Sequence, residues 1–125
     1  MSVLLVEDDS NLRRALQICL VHNGFIVETA GNGFEALARL SVTKVDVVVT
    51  DMNMPRMNGL ELIHCLRAHF PAMRTIAISG ATITSASRDT LDELGVERLF
   101  PKPFDRNELL RALRTPPDLF ADDLE

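Results

Sequence analysis

VDVVVTDMNMPRMNG, residues 45–59, sets four valines in its first five positions, then a single carboxylate at Asp51, then a Met-Asn-Met-Pro break. A β-branched apolar run without polar alternation is the pattern of a strand buried on both faces. Such a strand belongs in a parallel sheet sandwiched between helices. The stretch therefore predicts a buried strand over Val45–Thr50 with Asp51 at its tip. Pro55 ends the strand, and Gly59 opens the next helix. A strand designed for an apolar interior thus delivers a charge to its end.

The same alternation extends in both directions. Val3–Val6 is a second buried run, followed by Ser10–His22, where Leu12, Ala15, Leu16, Cys19 and Leu20 recur at helical spacing. Asn23-Gly24 stops that helix, because both residues tolerate the left-handed conformation. Phe25–Ala30 alternates partly, as an edge strand does, and Phe34–Leu40 is a short helix. Beyond Gly59, Leu62, Ile63 and Leu66 mark a helical face that Pro71 closes. Thr75–Ser79 is a third buried run. Ser85–Leu94 is a helix stopped by Gly95, Arg98–Pro101 a short strand, and Asp105–Leu113 a last helix with Asp105 as N-cap. Thr115-Pro116-Pro117 ends it. Five strands alternating with five helices define an α/β fold with a doubly wound parallel sheet.

Composition limits the classes of function. The 125 residues are 46% hydrophobic and 25% charged, as in an ordinary soluble domain. No apolar run is long enough to span a membrane. The start, MSVLL, shows neither a basic region nor a cleavage site. Cys19 and Cys65 lack metal-ligand spacing and read as thiols of a reducing compartment, so a cytoplasmic protein is expected. The net charge of −5 argues against a nucleic-acid surface. Asp118, Asp122, Asp123 and Glu125 contribute −4 of it, leaving about −1 for the rest. The expected division is one domain over 1–114, with 115–125 an acidic tail or the start of a linker.

In a doubly wound sheet, ligands bind at the carboxyl ends of the strands, where strand order reverses. Glu7, Asp8 and Asp9 follow the first strand, Asp51 ends the third, Ser79-Gly80 the fourth and Lys102 the fifth. Taken singly, each has an ordinary explanation. Asp9 or Ser10 caps a helix, Ser79 is a turn hydroxyl, and Lys102 is a surface charge. Their convergence on one sheet edge is what such explanations do not cover. Two carboxylates ~4 Å apart repel by about 4 kcal/mol at an effective dielectric of about 20. Three carboxylates in one cleft therefore call for protonation or a cation. All donors there are oxygens, so a hard ion, Mg²⁺ (or Mn²⁺), is the match. His22, His64 and His69 share no ligand spacing, and zinc is not expected. Only two lysines occur beside eleven arginines, and one of them, Lys102, is held between Pro101 and Pro103. A compact ammonium so restrained suits a fixed oxyanion or carboxylate.

LLVEDD, VVVTDMNMPRMNG, IAISG and FPKPF, in this order and spacing, closely resemble the receiver domains of two-component response regulators. The resemblance covers Ser2 to about Leu113. It implies a five-stranded sheet in the order 2-1-3-4-5 and a Mg²⁺-dependent phosphoryl acceptor at Asp51. By the same resemblance Asp8 binds the metal directly, Glu7 through water, and Asn53 through its backbone carbonyl. Lys102 contacts the phosphoryl oxygens, Ser79 hydrogen-bonds them and reports the change, and Gly80 leaves room for the group. The bond before Pro103 is expected to be cis. The donor is a sensor histidine kinase or a histidine phosphotransfer protein, and the output partner meets the Ser85–Leu113 face. A monomer or a phosphorylation-dependent dimer is implied, which catalyses only its own phosphorylation and dephosphorylation.

One position departs from the family. Tyr or Phe is usual three residues before the motif lysine, and here Leu99 stands there, with Phe100 beside it. Leu99 is expected to repack without a marked swing between buried and exposed. Two other functions compete. A pseudo-receiver acting as an interaction module without phosphate would not need the set Glu7, Asp8, Asp51, Ser79 and Lys102. A phosphatase or flavin binder would need a substrate cap, or a Gly- or Ser/Thr-rich phosphate loop after the first strand, and neither is present.

Overall fold

The computed structural model describes residues 1–81 and 83–115. In chain order the elements are β1 (Ser2–Val6), α1 (Ser10–His22), β2 (Ile26–Ala30), α2 (Gly33–Val42), β3 (Val47–Asp51), α3 (Gly59–His69), β4 (Arg74–Ser79), α4 (Ser85–Glu93), β5 (Arg98–Pro101) and α5 (Arg106–Arg114). The strands form one parallel sheet in the order β2-β1-β3-β4-β5. All carboxyl ends therefore emerge along one edge.

Alternation of side chains along each strand divides the core in two. Val3, Leu5, Val47, Val49, Ile76 and Ile78 face Leu16 and Leu20 of α1 and Leu109 and Leu113 of α5. Leu4, Val6 and Val48 face Ala36 and Leu40 of α2 and Leu62 and Leu66 of α3. Ile63, Ala77, Leu91 and Val96 extend that second layer under α4. Each of the eleven largest apolar side chains buried this way contributes about 1.5–3 kcal/mol. Strand β3, with every residue buried, is the axis of the molecule.

The expected elements are all present, with small shifts at their ends. Strand β3 starts at Val47 rather than Val45, because the Asp46 carboxylate accepts the Ser2 N–H at 2.8 Å and its own N–H donates to the Ser2 carbonyl. It also ends one residue later, so Asp51 is the last paired residue, opposite Ile78. Helix α2 is longer than expected at both ends, starting behind the Asn32 cap. Of the two caps considered for α1, Asp9 serves, accepting from Asn11 and Leu12. Asp105 caps α5 as expected. Leu94 lies just past α4 as its C-cap, and Gly95 follows at φ 77°. Residues 116–125, which carry the acidic tail, lie outside the described residues.

The loop after β3 explains Gly59. A Cβ there would lie 2.6 Å from the Asp51 carbonyl oxygen and 2.6 Å from Met52 Cα. No side chain fits, so glycine alone lets α3 begin pressed against the backbone that carries Asp51. The Asn58 and Glu61 side chains complete a reciprocal capping box at that helix start. Both devices hold the end of β3 in place.

Candidate functional site at the carboxyl edge of the sheet

Glu7 leaves β1 buried, at 1% exposure. Its N–H donates to the Ala30 carbonyl, its own carbonyl accepts from Arg13 Nη1 at 2.8 Å, and its Oε2 accepts the Asp9 N–H at 3.2 Å. Asp51 is buried at 3% exposure. Its Oδ1 accepts the Asn53 N–H at 3.1 Å, and its Oδ2 accepts from Lys102 Nζ at 3.1 Å. The same ammonium donates to Glu7 Oε1 at 2.8 Å. Lys102 thus bridges two buried carboxylates from strands that are not neighbours of its own. The Lys102–Pro103 bond is cis, as the resemblance implied.

Asp8 completes the cluster from the exposed side. One carboxylate oxygen each of Glu7, Asp8 and Asp51 lies within 4.8 Å of the other two. Three carboxylates against one ammonium leave the site short of positive charge. Burial pushes the Glu7 carboxyl up to about 7; the bond from Lys102 opposes this, and Asp51 reinforces it. Burial pulls the Lys102 ammonium down, but its bonds to Glu7 and Asp51 outweigh that and hold it above its ordinary value. An all-oxygen donor set with excess negative charge fits a hard divalent cation.

Ser79 ends β4, nearly buried, and its Oγ accepts from Asn53 Nδ2 at 3.2 Å and from the Ala81 N–H at 3.2 Å. Its carbonyl accepts the Lys102 N–H at 2.7 Å, tying the ends of β4 and β5 together. A Cβ at Gly80 would touch the Lys102 stem at 3.6 Å, so this side of the cleft is open. The fold therefore gathers Glu7, Asp8, Asp51, Asn53, Ser79 and Lys102 at one edge.

Leu99 lies apart from the carboxylates. It is opposite Ala77 in β5 and packs on Ile63, Leu91 and Val96. It shares a cavity of about 360 Å³ with the site residues Asn53 and Ser79, lined also by Met52, Leu60, Ile83 and Leu91. Phe100 does not replace the missing aromatic. It points to the other face of the sheet, 97% buried in the α1–α5 core and 6.0 Å from the Phe104 ring.

Two features had no sequence signal. The Asn53 side chain reaches Ser79 although Asn in a turn needs no such partner. Arg13 fixes the Glu7 backbone from a helix position that reads as ordinary solvated surface.

Residues 3–114 match the model of the response regulator receiver domain. The chain belongs to that family. Among curated relatives, response regulator MprA of Mycobacterium avium (strain 104) is 37% identical over 114 residues, 91% of this chain and 50% of the relative. MprA of Mycobacterium sp. (strain KMS) is 38% identical over 121 residues, 93% of this chain and 52% of the relative. The chain thus spans about half the length of the curated relatives it matches. Among solved structures, a response regulator receiver protein from Pseudomonas putida superposes with a TM-score of 0.85 at 32% identity, covering 90% of this chain and 93% of that one. The chemotaxis response regulator CheY4 of Vibrio cholerae gives 0.81 at 30% identity, covering 90% and 95%. The receiver-family pocket of Glu7, Asp8 and Asp51 fits Mg²⁺ binding and aspartyl phosphorylation. No helix among the described residues is long and apolar enough to cross a membrane.

Proposed function

We propose that this receiver domain, spanning residues 1–114, takes a phosphoryl group onto Asp51 from the phosphohistidine of a sensor kinase or phosphotransfer protein, and thereby changes conformation. The observation that carries this reading is Asp51 itself. It is a buried carboxylate at the end of the most buried strand, held by a backbone N–H on one oxygen and an ammonium on the other. A nucleophile so fixed is oriented before its substrate arrives. An Asp51 oxygen attacks phosphorus in line, the P–N bond breaks, and the imidazole leaves with the electron pair. Lys102 then turns from a carboxylate neighbour to a phosphoryl oxygen, and Ser79 donates to another.

Asp8, Asp51, the Asn53 backbone carbonyl and, through water, Glu7 would hold Mg²⁺ (or Mn²⁺). When bound, that ion supplies the positive charge that the equatorial phosphoryl oxygens require. The new contacts of Ser79 and Lys102 exist only in the phosphorylated form, so they favour one conformation over the other. The Ser85–Leu113 face is the surface offered to an output partner, and the domain turns over no other substrate. A cytoplasmic place accords with the two free thiols. Incubation with acetyl phosphate and Mg²⁺ is expected to add ~80 Da, the mass of one phosphoryl group, to the wild type and nothing to Asp51→Asn. An adduct of equal yield in both would sink the assignment.

The output step departs from the aromatic swing. Leu99 already packs against Ile63, Leu91 and Val96, so it has a core to stay in. Methyl chemical shifts of Leu99 are expected to move little on adding beryllofluoride and Mg²⁺. Ring-sized shifts around it would contradict this.

A further inference from the structure

We infer that the Asn53 carboxamide is a positioning residue for the Ser79 hydroxyl, a role distinct from that of its backbone carbonyl. A serine hydroxyl carries one proton and two acceptor lone pairs. Here both lone pairs are engaged by N–H donors, Asn53 Nδ2 at 3.2 Å and Ala81 N at 3.2 Å. The hydroxyl proton has no acceptor among the described residues. With both acceptor sites filled, the O–H is left as a donor, which is what a phosphoryl oxygen needs from it. The inference rests on the reading of Ser79 as a phosphoryl contact.

The opposite orientation of the amide would present Oδ1, take the hydroxyl proton and withhold it from the site. The two orientations therefore predict opposite effects of removing the side chain. Asn53→Ala is a clean probe. It keeps the backbone carbonyl and the N–H that Asp51 Oδ1 accepts, so the metal ligand and the grip on Asp51 persist.

The experiment titrates metal-loaded protein with beryllofluoride by NMR in wild type, Asn53→Ala, Ser79→Ala and the double variant. Mg²⁺ alone is titrated in parallel. Asn53→Ala is expected to weaken beryllofluoride binding about fivefold, the worth of one ordinary hydrogen bond. In the Ser79→Ala background the same change is expected to have less than about a twofold effect, because a residue acting through Ser79 has nothing left to orient. Mg²⁺ affinity is expected to fall less in Asn53→Ala than beryllofluoride affinity does, because the side chain is not the metal ligand. In the metal-free protein, the Asn53 side-chain amide proton resonances are expected to shift in Ser79→Ala, reporting the bond without any ligand.

Tighter beryllofluoride binding in Asn53→Ala, an equal loss in both backgrounds, or a parallel loss of Mg²⁺ affinity would overturn the inference. If Ser79→Ala weakens binding and Asn53→Ala does not, the inference falls while the reading of Ser79 stands. If Ser79→Ala itself has no effect, the phosphoryl contact fails and the inference falls with it.

Discussion

The two edges of the sheet are electrostatic opposites. At the carboxyl edge, Glu7, Asp8 and Asp51 crowd together and share one ammonium. At the amino edge, charge is matched. Arg74 Nε and Nη2 meet the two oxygens of Glu97 at 2.8 and 3.0 Å. The same guanidinium donates to the carbonyls of Ala112, Leu113 and Thr115, where α5 ends and its dipole is negative. The Ser2 N–H closes on Asp46 nearby. One edge is built to hold still, and the other to want a ligand. Stability and function are thus placed at opposite ends of the same strands, and charge removal should have opposite signs at the two.

The largest effect is expected at the amino edge. Arg74→Met would leave Glu97, at 9% side-chain exposure, without its partner and strip three carbonyls of a donor. Breaking a paired charge so enclosed costs about 3 kcal/mol. Urea denaturation is expected to show that loss as a lower midpoint with an unchanged slope. A change within error would mean that the clamp holds nothing.

Glu7→Gln should do the reverse in metal-free protein. The folded-state value of about 7 lies above the ordinary 4.5. Between these two values the folded state therefore binds more protons than the unfolded chain, and stability falls as pH rises through that window. The Gln variant escapes this loss. It is expected to match the wild type below pH 4.5 and to exceed it by up to about 3 kcal/mol at pH 8, the size of that shift. A wild-type stability that rises between pH 5 and 7, with the Gln variant flat over that range, would reverse the sign and show that burial does not raise the Glu7 carboxyl.

Metal affinity should carry the same titration. Below pH 7 a cation must displace the Glu7 proton, so Mg²⁺ affinity is expected to fall by up to about tenfold per pH unit, and to level off above it. Calorimetry in two buffers of different ionisation enthalpy would detect the released proton. Affinity that is flat from pH 5.5 to 8 would show that Glu7 is uncoupled from the ion. The smallest effect belongs to neither edge. The Arg39–Glu28 pair, 3.4 Å apart and 54% and 36% exposed, is worth about 0.5 kcal/mol or less, so Arg39→Ala should leave the melting temperature almost unmoved.

The carboxyl edge was legible in the sequence, because its signals are local. A valine run ending in Asp51, an acidic triplet after a second apolar run, and a lysine fixed between prolines each announce themselves within a few residues. The strand face of Phe100 was legible too, since adjacent residues on a strand point to opposite sides. The amino edge was not. Arg74 and Glu97 read as solvated charges. They meet because the pairing sets Ile76 opposite Arg98 and the Glu97 N–H on the Thr75 carbonyl, which is a matter of register between strands. The bond from Asn53 to Ser79 was hidden for the same reason, since it joins the loop after β3 to the end of β4, which only the sheet brings together. The start of β3 was set too early because Val45 is apolar, whereas the Asp46 bonds to Ser2 close the strand before it.

Strand β4 carries Ser79 at one tip and Arg74 at the other, about 17 Å apart at the usual rise per residue. Between them every side chain is buried, so the strand is packed along its whole length. One fully packed strand thus joins the cleft residue Ser79 to the guanidinium that grips the end of α5. The chain leaves the described fold at Thr115, whose carbonyl is in that grip. Along the chain, the way from Ser79 to that exit runs through two helices and another strand, whereas β4 alone spans the distance from the cleft to the Arg74 clamp.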